Sequence, residues 1–280
     1  MKWSTSKRVF DIGKPLVMGI LNVTPDSFSD GGDYASVDAA VKRAEEMVGE
    51  SVDIIDVGGE STRPGSVRIS EGEEIDRVVP VIEAVVARVD VPISIDTSKA
   101  SVARAAVAAG AEIINDISGL RWDADIATVA AETGAGLVLM HSRGRFETMH
   151  SEPAVDDIVG EVSRDLRRAV EDAAAHGVKA SQIALDIGIG FGKTAEQNLE
   201  LLAKLDKLVD EFAGYTMVVG TSRKSFMGKI MGGVSAGDRL SGSLATMAIA
   251  VWNGVKIVRV HDVRETVDAV RTVTAIREQI

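Results

Sequence analysis

The chain has 280 residues, 31 basic and 42 acidic side chains and a formal charge of −11, and its 45% apolar and 26% charged content is globular rather than disordered. The absence of cysteine excludes a disulfide scaffold, a thiolate metal site and a cysteine nucleophile, and fits a reducing, cytoplasmic setting. The acidic balance speaks against general nucleic-acid binding, residues 1–13 lack the apolar core of a signal peptide, and the most apolar stretch, 244–252, is too short to cross a membrane.

In chain order, residues 1–15 read as a short β-ribbon. After it, short β-branched apolar runs alternate with segments of helical periodicity. The run 16–22 precedes a helix over 37–50, 53–59 precedes 73–89, 92–97 precedes 101–109, and 113–118 precedes 126–133. Then 136–141 precedes 155–176, 183–188 precedes 196–212, 216–222 precedes 239–253, and 257–262 precedes 264–277. Asp38 and Asp238 stand where helix-start residues are expected. The runs begin about 34 residues apart, one βα unit each, and no composition shift marks a linker. Apolar strands buried on both faces, repeated eight times, predict a closed (βα)8 TIM barrel above an N-terminal ribbon, a single domain over 1–280.

In such a barrel the chemistry sits at the C-terminal ends of the strands. There the chain places Asn22, Asp56, Asp96, Asn115 with Asp116, Met140-His141, Asp186, Ser222-Arg223-Lys224-Ser225, and Arg259 with His261. Side chains alternate along a strand, so Ile20 and Asn22, Ser94 and Asp96, Ala184 and Asp186, and Arg259 and His261 share a face. Helix-facing positions have to be apolar, so these polar groups look into the barrel and converge on one mouth. Singly, each carboxylate serves equally well as a helix cap or a salt-bridge partner. Asp56 reads as structural, Asp116 as a cap or supporting group, His150 and His176 as surface residues, and Met47 and Met247 as core. Together the groups argue for a ligand site, because burying so many charges for structure alone is costly. The glycine-rich stretch 188–194 misses the P-loop spacing at Ile187 and the dinucleotide fingerprint at Lys193. There is no H-E-x-x-H, and a Schiff-base role for Lys224 stays open at this level.

The segments Met18-Gly19-Ile20-Leu21-Asn22-Val23-Thr24-Pro25-Asp26-Ser27-Phe28-Ser29-Asp30-Gly31-Gly32 and Asp56-Val57-Gly58-Gly59-Glu60-Ser61-Thr62-Arg63-Pro64-Gly65 resemble the two signatures of the dihydropteroate synthase family. Ser94-Ile95-Asp96-Thr97, Asn115-Asp116-Ile117, Leu139-Met140-His141, Ser222-Arg223-Lys224-Ser225 and Arg259-Val260-His261-Asp262 follow in the family's order. The resemblance implies a (βα)8 barrel, commonly homodimeric. It implies condensation of 6-hydroxymethyl-7,8-dihydropterin pyrophosphate with 4-aminobenzoate to 7,8-dihydropteroate and pyrophosphate, with Mg2+ accompanying the pyrophosphate. It further implies pterin binding by Asp96, Asn115, Asp186 and Lys224, between walls of Ile117, Met140 and Phe191 and under Arg259. Asn22 is implied as the magnesium ligand, and Asn22, Arg63, Arg259 and His261 as the pyrophosphate site. Thr62, Pro64, Phe191, Ser222 and Ser225 are implied around the aminobenzoate. Asp30, Arg63, Lys224 and Arg259 are the implied catalytic groups, with Phe28 and Asp30 on a closing loop.

These residue types suit that chemistry. A carboxylate accepts both donors of an amino-pyrimidinone edge, and such hydrogen bonds favour the anion of Asp186. Arg259, His261 and Arg63 would supply charge-assisted donors, which reconciles an anionic substrate with an acidic chain. Two departures stand out. Ile187 replaces the family's proline, which would loosen the turn behind Asp186, and Ser142-Arg143, followed by Arg145, replaces a Met-Gln pair. A methyltetrahydrofolate–corrinoid methyltransferase would share Asp96 and Asn115 but has no need of 222–225 or of the Arg259/His261 pair. A Schiff-base aldolase acting through Lys224 and a non-catalytic pterin binder would fit the same barrel. Pyrophosphate release that needs both substrates separates them all.

Overall fold

The computed structural model describes residues 2–24, 32–63, 65–149 and 151–279. Strands β1 (Lys2–Ser4) and β2 (Val9–Asp11) form an antiparallel ribbon. Strands β3 (Leu16–Asn22), β4 (Ile54–Gly58), β5 (Ile93–Asp96), β6 (Ile113–Asp116), β7 (Gly136–Met140), β8 (Ile183–Asp186), β9 (Thr216–Val219) and β10 (Ile257–Val260) close into a barrel in the order β10-β3-β4-β5-β6-β7-β8-β9. Every pairing in it is parallel. Around it lie α1 (Gly32–Gly49), α2 (Glu71–Val86), α3 (Ala100–Ala108), α4 (Asp125–Thr133), α5 (Ile158–Ala175), α6 (Ala195–Ala203), α7 (Leu205–Glu211), α8 (Ser225–Ile230), α9 (Leu240–Trp252) and α10 (Val263–Arg277).

Alternation along the strands divides the core in two. Val17, Leu21, Ile55, Val57, Ile95, Leu139 and Val219 point outward and join the helices in one large cluster. Met18, Ile54, Ile113, Val138, Ala184, Val218 and Ile257 point inward and fill the barrel's lower half with Trp3 and Ile12. The ribbon therefore plugs the bottom. Trp3 is fully buried, stacks on Phe10 with ring centroids 5.5 Å apart, and donates its indole N–H to the Gln182 carbonyl at 2.8 Å. With its lower half filled by apolar side chains, the barrel has room for chemistry at the top alone. No described helix is long and apolar enough to cross a membrane.

Several expected boundaries move. Seven of the eight runs end sooner than the apolar stretch suggests, because their last residues leave the ladder to build the mouth. Asp116 illustrates this: its Oδ1 accepts from the Ser118 N–H at 2.8 Å and its Oδ2 from the Leu120 N–H at 2.6 Å, so it supports the turn above β6. Helix α1 begins at Gly32, which leaves Asp38 inside it rather than at its start. Asp238 closes a short 3₁₀ turn, Ala236–Asp238, just before α9. The helix expected over 196–212 is two helices, α6 and α7, broken at Lys204, and α8 is an additional short helix. Met47 and Met247 are buried in the core, and His176 is exposed at the end of α5, as expected; His150 lies outside the described residues.

Candidate active site at the barrel mouth

Strand register sets the layer of polar side chains. Asp96 pairs with Gly58 on one side and Asn115 on the other, and Asp186 lies beside Met140. One step deeper, Asp56 pairs with Ser94. Arg259, on the strand that closes the barrel, reaches past β3 to both layers. Its Nε donates to Asp56 Oδ2 and its Nη2 to Asp96 Oδ2, each at 2.6 Å. The Asn115 amide nitrogen donates to the same Asp56 oxygen at 3.0 Å, which leaves the amide oxygen to meet a ligand donor. Asp56 is fully buried. It is the structural carboxylate expected from the sequence, and it orients two residues of the site. Its inward parity and its neighbour Gly58 were the signal for this.

Above this layer a cavity of about 300 Å3 opens to solvent, lined by Asn115, Ile117, Met140, Asp186, Ile189, Phe191, Gly220, Lys224 and Arg259. The Lys224 ammonium sits 3.9 Å from the centre of the Phe191 ring. Asp186 is held from behind, its Oδ1 accepting from the Gly188 N–H at 2.7 Å. Gly188 has φ +67°, and a Cβ there would run into the His141 carbonyl oxygen. The turn rests on this glycine and on Ile187, which stands fully buried where the family's proline was expected.

Burial and charge set the protonation of these groups. Burial alone would lower Arg259, but Asp56 and Asp96 outweigh it and raise its pKa further. Burial pushes Asp96 up to about 7 although Arg259 pulls the other way. Asp186 is also raised, because burial outweighs the Gly188 N–H and the nearby Lys224; this opposes, in the free chain, the anion expected there. Burial, reinforced by the Arg259 charge, brings Lys224 down to about 8. His261 falls to about 3, through burial and then the charges of Arg259 and Arg223. In the ligand-free chain its imidazole is therefore neutral at pH 7, and an anion beside it would raise that pKa. Its Nδ1 lies 3.0 Å from Ser222 Oγ, which accepts from the His261 backbone N–H at 3.2 Å.

The expected residues are gathered unevenly. Asn115, Ile117, Met140, Asp186, Phe191, Lys224 and Arg259 line the cavity, and Asp96 joins them through its ion pair with Arg259. Half-buried Asn22 flanks Gly58 opposite Asp96. Thr62 is half-buried and Arg63 exposed on the loop between β4 and α2, and Ser225 is exposed at the start of α8; none of the three lines the cavity. Phe28, Asp30 and Pro64 lie outside the described residues.

Sequence reasoning missed an apolar annex. Phe146 and Met149, from the loop after β7, pack with Ile117, Met140 and Phe191, and Trp122 covers them. Arg68 lies over both Trp122 and Phe146, 5.6 and 5.7 Å from the ring centres. An aromatic residue and a methionine within a polar loop were the only sign. The unassigned Arg143 is a clamp: its Nη1 donates to Pro153 O at 2.6 Å and Gly192 O at 2.9 Å, and its Nε to Glu161 at 2.7 Å. The stretch 188–194 folds around its own lysine, whose ammonium donates to Gly188 O at 2.7 Å and Phe191 O at 3.1 Å. A second, narrow cleft lies behind β7 beside the His141 side chain. Burial holds that imidazole neutral, with its pKa down at about 3.

Comparison with known proteins agrees with this layout. The family described as "Pterin binding enzyme" matches residues 18–261. A dihydropteroate synthase from Synechocystis is 48% identical over 256 residues, 91% of this chain and 88% of the relative. Two structures of dihydropteroate synthase from Xanthomonas albilineans superpose with it. The one with 4-aminobenzoic acid has a TM-score of 0.91 at 40% identity, covering 99% of each chain. The one in complex with 7,8-dihydropteroate has a TM-score of 0.89 at 38% identity, again covering 99% of each chain. With the family matched along nearly the whole barrel and its polar residues gathered at one mouth, the chain belongs to the dihydropteroate synthase family of pterin-binding enzymes.

Proposed function

We infer that the chain condenses 6-hydroxymethyl-7,8-dihydropterin pyrophosphate with 4-aminobenzoate, giving 7,8-dihydropteroate and pyrophosphate. The observation that carries this is the convergence of Asn115, Asp186, Lys224 and Arg259 on one cavity, in a barrel that superposes on a relative holding 7,8-dihydropteroate. Asp186 accepts from the amino-pyrimidinone edge, the Asn115 oxygen takes a further donor, and Lys224 donates to ring acceptors. Ile117, Met140 and Phe191 wall the ring. Arg259 covers one face of the pterin and turns toward the pyrophosphate, joined by His261 as an N–H donor and by Arg63 from its loop. Thr62, Phe191, Ser222 and Ser225 surround the aminobenzoate. Asp30 is assigned the stabilisation of the developing methylene cation.

The reaction is a loose substitution. The methylene C–O bond breaks, its electron pair leaves on the pyrophosphate, and the pterin ring delocalises the resulting cation. The arylamine nitrogen, already neutral at pH 7, then forms the C–N bond and releases a proton to water. Cationic donors around the leaving group supply the main stabilisation.

For magnesium, the neutral oxygen of Asn22 beside a carboxylate is a donor set suited to a hard cation that keeps most of its waters. A Cβ added at Gly58 would touch Asn22 Oδ1 at 3.7 Å and Asp96 Oδ2 at 3.9 Å, so glycine keeps the two side chains uncrowded, with Asp96 Oδ2 already accepting from Arg259 Nη2. Asn22 would hold the ion, which when bound neutralises pyrophosphate charge. Exposed Leu199, Ile230, Ile249 and Trp252 on α6, α8 and α9 support a homodimer, checked by sedimentation. The cysteine-free, acidic composition supports a cytoplasmic setting.

The decisive assay is pyrophosphate release. We expect it to require both the pterin pyrophosphate and 4-aminobenzoate. Release from the pterin substrate alone at the same rate, or none with both present, would overturn the reading.

A further inference from the structure

The loop between β4 and α2 carries Thr62 and Arg63, and its two ends are held by one buried carboxylate. Glu60 Oε1 accepts from the Lys99 ammonium and from the Ile69 N–H, each at 2.8 Å. Lys99 also donates to Glu74 Oε2, at 2.5 Å, in the first turn of α2. All three side chains are more than nine-tenths buried, at 6% exposure for Lys99, 7% for Glu60 and 1% for Glu74. Lys99 follows β5 by three residues, just beyond Asp96. One cation thus ties the mouth of β5, the start of α2 and the neck of the β4–α2 loop. Between the closed ends, Arg63, Gly65, Val67 and Arg68 are exposed.

We propose that Glu60, anchored by Lys99, is a positioning residue that clasps the neck of the loop and so sets where Thr62 and Arg63 stand over the barrel mouth. This rests on the reading of the loop as part of the aminobenzoate and pyrophosphate site. Two carboxylates around one ammonium leave a net negative charge in a buried place, a costly arrangement to keep for packing alone. Burial raises the Glu74 carboxyl, and Lys99 pulls it back. The Ile69 N–H bond explains the second carboxylate. An apolar side chain at 60 would leave Lys99 and Glu74 a balanced pair, but would release Ile69 and leave the neck to the weaker Ser66–Ser61 hydroxyl bond at 2.8 Å.

The test is Glu60→Leu beside Glu60→Gln, which keeps an acceptor for both donors. In the folded proteins, trypsin should cut the Arg68–Ile69 bond roughly tenfold faster in Glu60→Leu, by populating the open neck, and at the parental rate in Glu60→Gln. In steady state, Glu60→Leu should lose roughly ten- to hundredfold in kcat/KM for 4-aminobenzoate, with pterin affinity by calorimetry unchanged and Glu60→Gln near the parent. Parental cleavage and kinetics in Glu60→Leu would overturn the proposal, as would an equal loss of pterin affinity, which would mark a general structural role. An unsubstituted protein that releases no pyrophosphate would instead refute the functional reading, and the cleavage comparison would still judge the clasp.

Discussion

Between Asp56 and Asp96 the Arg259 guanidinium is already doubly paired through Nε and Nη2. That pairing keeps a buried cation satisfied while the pocket is empty. Lys224 has no such escort, and burial with the Arg259 charge brings it down to about 8. It is charged below that value and neutral above it. Pterin affinity should therefore fall as pH rises through about 8, well before an ordinary lysine titrates near 10.4. Calorimetry across that range checks this, and affinity that stays flat to about pH 9.5 would show that the ammonium is not used. Asn22→Ala should raise the magnesium concentration needed for half-maximal activity; an unchanged titration would take Asn22 out of the metal site. At this scale the sequence showed which residues point inward but not what they touch. Asp56 read as structural, but its two partners could not be named, since they come from β6 and β10, a relation only barrel closure creates. Arg143 was unreadable for the same reason, since its acceptors lie 10 and 49 residues away.

Among the elements, strands were legible and helix boundaries less so. Each strand is a buried apolar run, and that pattern survives without knowledge of its neighbours. The break at Lys204 and the six residues of α8 have no strong stop or start signal, because short helices draw their stability from packing rather than from propensity. The N-terminal ribbon is the element whose role is most testable. Trp3 fills the barrel floor, so Trp3→Ala should cost about 3–5 kcal/mol, the range for a buried aromatic, seen as a lower urea midpoint. Pterin affinity should hardly change, because the polar layer stands above the floor. A midpoint shifted by less than about 1 kcal/mol-equivalent would mean that the ribbon does not carry the floor.

For the whole molecule, closure of the sheet is what converts a series of residues into a site. In a chain of net charge −11, the mouth sets Lys224 and Arg259 among Asp56, Asp96 and Asp186, so its cations are matched by carboxylates. Eight βα periods and the convergent parity were visible in the sequence, since both depend only on spacing. The apolar annex of Phe146 and Met149 was not, because the long loop after β7 folds back by tertiary contact alone. The most direct test is calorimetric titration of the pterin pyrophosphate into the unsubstituted protein and into Asp186→Ala. Loss of the carboxylate should weaken binding by about 1.5–3 kcal/mol, roughly ten- to 150-fold, the scale of hydrogen bonds to a charged group. An unchanged dissociation constant would contradict a pterin seat at the barrel mouth.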